Sequence, residues 1–442
     1  MVVLGPILAQ VAVLSLADRT EARYIVSDDT HAEASTRPLV ALDVRWRRSD
    51  LRLSYAPAFT ILPDPEADPS QSRDPALIIF HSGTISGSHS WGRTKLTLSE
   101  TGSYGTQNFR SAVLTDQRPI NPTPGTGNTT PNSGNSGGTG TPGTGSTAGG
   151  TGSTPGGTGS TTGGTGSTTS GGMGSTTGGT NATALRAANV IVHFASSTTS
   201  AALEHRTGPI TVRGELAYNI SGATRPEEQA TYPVVRGPRA QVSVTDRLSA
   251  ADNVTGTVIG QYSSSSTGNS VWIGTLTSSW GHRFDAHTTS QLGAGLSGTR
   301  TPLDQGYTAY TIYPVITASL NSSSTLARGI LGLGLMLTSS PVVDLTTSVA
   351  DPRVGVNAIA SWQRHRFSTF LGVNAQLSTA APASAGSLSS VGAAVGMGYG
   401  LGKGVALDGG FRIAYQTYEG ATVVPLSYAV FIGLAFGAQQ RL

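Results

Sequence analysis

Eight histidines, His31, His81, His89, His193, His205, His282, His287 and His365, are the side chains best suited to acid–base or metal chemistry. No two of them stand at the H-x-x-x-H spacing that puts two imidazoles on one helix face, and no HExxH occurs. The chain has no cysteine, which removes thiolate metal ligands, thiol catalysis and disulfides. No nucleophile elbow, a G-x-S-x-G run joining a strand to a helix, is present. A Ser–His–acid triad is recognised by geometry and not by chain order, so the serines leave that alternative open. No metal site, cofactor site or catalytic residue is expected.

A second set of polar residues has a different pattern. Arg45, Arg47, Arg52, Lys95, Arg213, Glu215, Arg239, Asp408 and Arg412 fall on the polar positions of alternating runs. In a strand, successive side chains point to opposite faces, so such residues share one polar face. They are candidates to line an aqueous lumen, with Arg23, Glu21 and Asp43 beside them. The basic excess among them weakly favours anions, unless these charges pair with one another or sit at the ends of the strands.

The tryptophans show where those ends lie. Four of the five stand immediately before a short turn that carries arginine. Trp46 precedes Arg47-Arg48, Trp91 precedes Gly92-Arg93, Trp280 precedes Gly281-His282-Arg283, and Trp362 precedes Gln363-Arg364. Amphipathic indoles favour a membrane–water interface, with basic groups just beyond it. The four are therefore expected as a girdle at one height on one rim.

Period-2 alternation runs through nearly the whole chain. Val40, Leu42, Val44 and Trp46 alternate with Ala41, Asp43, Arg45 and Arg47, and Leu426, Tyr428, Val430, Ile432, Leu434 and Phe436 with Ser427 to Gly437. The runs last about 10–13 residues, close to the roughly 9–11 of a tilted membrane-crossing strand and twice the soluble mean. A soluble β-sandwich is the competing fold, since its strands alternate too. Short links such as Arg48-Ser49-Asp50 and Arg364-His365-Arg366 alternate with long ones such as Pro63–Pro75 and Ser378–Gly386, an asymmetry of barrels. Eighteen alternating runs can be placed, beginning with Arg19–Ser27. Sixteen is the alternative count, because the runs near 77–90 and 187–204 alternate poorly.

Composition agrees with a membrane surface. Charged residues make up 12% of the 442, about half the usual share, while hydrophobic residues reach only 37%. Glycine, serine and threonine hold the balance, with 58 glycines. A net charge of +3 with no basic block gives no nucleic-acid footprint. Residues 110–184 form a low-complexity insertion with a repeated GGTGSTT-like unit, expected to be disordered and, from strand parity, extracellular. It lacks the lysine, strand and helix of a phosphate-binding loop. Residues 1–17, ending Ser15-Leu16-Ala17, read either as a signal peptide or truncated leader, or as the lead-in to a first strand, with residues 18–442 as the barrel.

In strand length, girdle and loop asymmetry the chain resembles bacterial outer-membrane β-barrel proteins of porin-like size. The resemblance covers nearly everything outside the insertion and the first residues. It departs at the C-terminus, which is Leu442 where the class usually ends on an aromatic residue. It implies an all-β, antiparallel transmembrane barrel in the outer membrane, contact with membrane lipid, and insertion by a barrel-assembly machinery. The expected function is a pore for passive diffusion of small hydrophilic solutes or ions. A structural barrel that displays the insertion is the alternative, and an outer-membrane hydrolase the third reading.

Overall fold

The structure is a computed structural model that describes residues 11–26, 31–62, 76–108, 191–229, 233–302, 308–326, 328–344, 349–378, 388–402, 404–418 and 426–441. The insertion at 110–184 and residues 1–10 lie outside them.

Twenty strand segments follow one another. They are β1 Val11–Val26, β2 His31–Thr36, β3 Leu39–Arg45, β4 Ser49–Tyr55, β5 Ala58–Leu62, β6 Ala76–Trp91 and β7 Thr94–Asn108. After the insertion come β8 Ile191–Thr207, β9 Ile210–Ala223, β10 Val235–Arg247, β11 Asp252–Ser265, β12 Ser270–Arg283 and β13 Thr288–Pro302. The remainder are β14 Thr308–Leu326, β15 Gly329–Asp344, β16 Val349–Arg364, β17 Phe367–Ser378, β18 Leu388–Gly402, β19 Val405–Tyr418 and β20 Leu426–Arg441. Apart from β2–β3 and β4–β5, consecutive segments pair antiparallel, and β1 pairs with β20 from Val13–Arg441 to Val26–Tyr428, which closes the sheet.

Four of the twenty segments are the halves of two interrupted strands, so the barrel has eighteen strands. β2 and β3 are one strand: Thr20 faces Thr36 and Ala17 faces Leu39 in an unbroken register along β1. β4 and β5 are another, paired with β6 on both sides of the break. Pro38 and Pro57 cause the breaks, because each lacks the N–H that a ladder rung needs. The register carries them to opposite positions, between Thr36–Phe59 and Val40–Tyr55. Beside them Arg37 still donates to Arg19, and Ala56 exchanges two bonds with Ser82.

Short turns collect at one rim. Gly92 and Gly208 take φ near +60° there, the left-handed geometry of tight hairpins, and Arg328 and His365 adopt it without being glycine. Val11–Ala17 belong to β1, paired with β3 and β20.

Burial is inverted relative to a soluble domain. On β12, Trp272, Leu276 and Trp280 are 53%, 60% and 41% exposed, while Thr277 and Ser279 between them are buried. The same parity holds around the wall: large apolar side chains face out, and hydroxyl, amide and charged groups face in. A sheet in water would bury the opposite face, so the outward surface is solvated by lipid. No helix among the described residues is long and apolar enough to cross a membrane; strands are the crossing elements. Replacing Leu276 by arginine is accordingly expected to lower the stability of the vesicle-inserted barrel by about 2–4 kcal/mol. Urea unfolding from vesicles measures the difference, and an unchanged midpoint would contradict the outward assignment.

Candidate functional site

The lumen wall has two unlike parts. The charged part runs from β19 through the closing seam to β10. Arg52 lies 3.6 Å from Asp43 on the neighbouring strand, and Arg213 pairs with Glu215 at 2.8 Å. Arg239 donates to Gln241, and Lys95 is in register with Glu204 on β8. Arg45 faces inward at the end of β3, whereas Arg47 lies in the turn beyond it. Asp408 and Arg412 enter a larger network.

That network lies across the seam. Arg23 binds Glu21 and, at 2.7 Å, Glu33; Arg19 lies 3.1 Å from Glu21 and also binds Asp408; Arg412 lies 3.3 Å from Glu21. β1 and β19 are separated by β20, so these contacts arch over a whole strand. They can do so because β20 turns only Gly433 and Ala435 inward at that level. A Cβ added to Gly433 would stand 2.8 Å from the Asp408 carboxylate. Beside this gap, the Arg412 guanidinium sits 4.1 Å above the Phe431 ring. The side chains of Glu21, Arg23 and Glu33 are at most 3% exposed. Much of the basic excess read from the sequence is therefore compensated within the wall.

The other part, β11 to β18, is nearly uncharged. It turns inward Thr257, Gln261, Thr277, Ser297, Asn357 and Asn374 among many hydroxyls and amides, several bonded across strands. Thr275 meets Ser297 at 2.9 Å, and Gln291 donates to Ser279 at 3.0 Å. Further on, Gly392, Ala394, Gly396 and Gly398 face the lumen as the alternation of β18 predicts. Away from the strand ends, Arg353 is the one charged side chain these strands turn inward among the described residues.

At the long-loop end the lumen face becomes apolar. Val192, Phe194 and Ala223 cluster with Phe80, Val235 and Val271 with Ile273 and Tyr313, and Ile25 with Ala414 and Ala429. Their inward placement so near the rim was not foreseen, since the runs at 77–90 and 187–204 mix polar and apolar residues on both faces.

The four tryptophans stand next to the short turns. Trp91 stacks on His89, Trp280 donates to Asp252 at 3.2 Å, and Trp362 donates to the Leu326 carbonyl at 3.2 Å. Sequence reasoning missed a second aromatic row at the opposite rim. Tyr24, Tyr104, Tyr262, Tyr310, Tyr415 and Tyr428 face outward there with Trp272. The signal was available: each of these tyrosines stands within four residues of the long-loop end of its strand. From Trp272 to Trp280 the strand advances roughly 27 Å, or about 20 Å along the membrane normal after a tilt near 40°. That spacing suits the hydrocarbon band of an outer membrane.

Among the described residues no group of three or more His, Asp or Glu could hold a metal.

A closed antiparallel barrel, apolar outside, polar inside and ringed by aromatics at both rims, is a bacterial outer-membrane β-barrel of porin-like build. Similar solved structures include OpdO of Pseudomonas aeruginosa, at 10% identity and a TM-score of 0.46 over 98% of both chains. OccAB4 of Acinetobacter baumannii has 6% identity and a TM-score of 0.45, over 99% of this chain and 100% of its own. The FrpB iron transporter of Neisseria meningitidis has 9% identity and a TM-score of 0.46, over 91% of this chain and 62% of its own. At these values the likeness is one of general barrel form. No curated protein matches the sequence. Residues 157–440 match the family model described as the EpsX exopolysaccharide export family, and the chain belongs to that family.

The seam network is a stability element with a measurable size. Glu21→Gln leaves Arg19, Arg23 and Arg412 around a neutral side chain, so a loss of about 3–5 kcal/mol is expected. Arg213→Gln removes a half-exposed pair and is expected to change stability by less than about 1 kcal/mol. Unfolding midpoints of the two variants against the parent barrel provide the comparison.

Proposed function

We propose that this protein is a passive conduit through the outer membrane, and that its cargo is an exopolysaccharide leaving the cell. The observation that carries the reading is the nearly uncharged wall of β11 to β18, where Arg353 is the exception away from the strand ends among the described residues. A polysaccharide is a dense array of hydroxyls. A wall of hydroxyls and amides exchanges one weak hydrogen bond for another as such a chain advances, at little net change in free energy. Conduction needs this combination of many sites and weak binding, which buried arginines presented to the cargo would spoil. The family's exopolysaccharide export fits the same wall.

Passive diffusion of small hydrophilic solutes uses the same lumen with a smaller cargo. The display reading is favoured by the length of the insertion, and barrel-assembly machinery and membrane lipid are the partners that an outer-membrane barrel implies. These readings separate in a planar bilayer. The reconstituted barrel is expected to show discrete single-channel steps, near-equal permeability to potassium and chloride, and transient blockades when a neutral polysaccharide is added. Free passage of small sugars without blockades would favour small-solute diffusion. A barrel that stays silent both intact and after deletion of residues 121–180 would overturn the conduit.

A further inference from the structure

The outward face of β10 to β14 carries a feature that the conduit does not use. Near the long-loop ends, Tyr262, Trp272, Arg300 and Tyr310 stand in one register row across four adjacent strands. Arg236 lies on the next strand, opposite Ser264. Trp272 and Tyr310 are 53% and 71% exposed. The Tyr262 and Trp272 rings pack 4.7 Å apart, and the Arg300 guanidinium lies 6.0 Å above the Tyr310 ring. Among the described residues neither arginine has an acidic partner. With strands about 4.8 Å apart, the two guanidinium-bearing positions are on the order of 15 Å from each other.

The next outward row toward the membrane centre is Ala240, Gly260, Gly274 and Gly298, again in direct register. A Cβ on any of the three glycines would meet nothing within 4 Å, so the row is a trough open to the membrane. Its lower bank is Val258, Leu276 and Leu296, each more than half exposed. Glycine weakens a strand interior and marks places where another molecule approaches the backbone closely. Three in register, beneath two arginines that face the lipid, make that approach specific.

The geometry points to a binding site on this outer face for a lipid of the outer leaflet whose headgroup carries phosphate. Arg236 and Arg300 hold phosphate oxygens through forked N–H donors, which suit phosphate better than a point charge does. Trp272 and Tyr262 lie between them at headgroup level, where amphipathic rings are stable. The upper part of an acyl chain fills the glycine trough and runs down over Leu276 and Leu296. Charge complementarity selects a phosphorylated lipid over a zwitterionic or neutral one, because among the described residues no carboxylate compensates the two arginines.

The test uses the full-length barrel in detergent micelles, with bound lipid counted by native mass spectrometry. The probes are hexa-acylated lipid A bearing both phosphates and the same lipid stripped of them. One bisphosphorylated lipid is expected per barrel, with affinity at least about tenfold above that of the stripped lipid. R236Q/R300Q should lower retention of the bisphosphorylated lipid by about tenfold or more while keeping the heat-shifted gel mobility of a folded barrel. G274L, which fills the trough and leaves both arginines, should lower it too. Equal retention of the two lipids, or full retention by R236Q/R300Q, would overturn the site. The two-lipid comparison needs no variant, so a variant that fails to fold leaves the test decisive.

Discussion

Hydrocarbon offers no hydrogen bonds, so every backbone N–H and C=O within the bilayer must find its partner in the chain itself. A sheet meets that demand only by closing, and here it closes where β1 pairs with β20. The even strand number and the placement of the start of β1, the end of β20 and the short turns at one rim accord with this closure. The wall tolerates Pro38 and Pro57 because they stand opposite one another, in a register held on both sides. Two unmatched prolines would have broken the ladder at two separate heights.

Inside the wall, the same low-dielectric surroundings decide how charge is arranged. Arginines that face the lumen at the seam are matched by Glu21, Glu33 and Asp408, and the smallness of Gly433 and Ala435 allows the match to reach over β20. The opposite wall is nearly free of charge, with Arg353 as the exception away from the strand ends among the described residues. The result is a lumen with a stiff, self-compensated side and a weakly binding side. Such a division is what the proposed conduit for a hydroxyl-rich chain requires, and it does not make a selective filter for ions.

Period-2 alternation made the barrel and its strand number legible, because each strand has one face in lipid and one in the lumen. The inward and outward assignments of β3, β4, β9 and β18 follow directly from parity. His31–Thr36 escaped notice because HAEAST has no large apolar residue on its outward face and is followed by Arg37-Pro38. The ionic partners at the seam were not legible either: Arg19 and Asp408 are 389 residues apart, and only the barrel's closure makes them neighbours. The glycine row was hidden for a related reason. Gly260, Gly274 and Gly298 look like isolated small residues until register places them side by side.

The arch of ion pairs over β20 has a bearing on the order of assembly. β1 precedes β19 and β20 in the chain by nearly the whole barrel. Until the final strand docks, Arg19 and Glu21 lack their partners on β19, and the edge of β1 is open. A chain cut short before β19 would carry into the membrane a charge cluster lacking Asp408 and Arg412, and a β1 with one unpaired edge. Such a fragment is poorly suited to remain there. The compensation of Glu21 by Arg412 thus forms only in a chain that extends through β19.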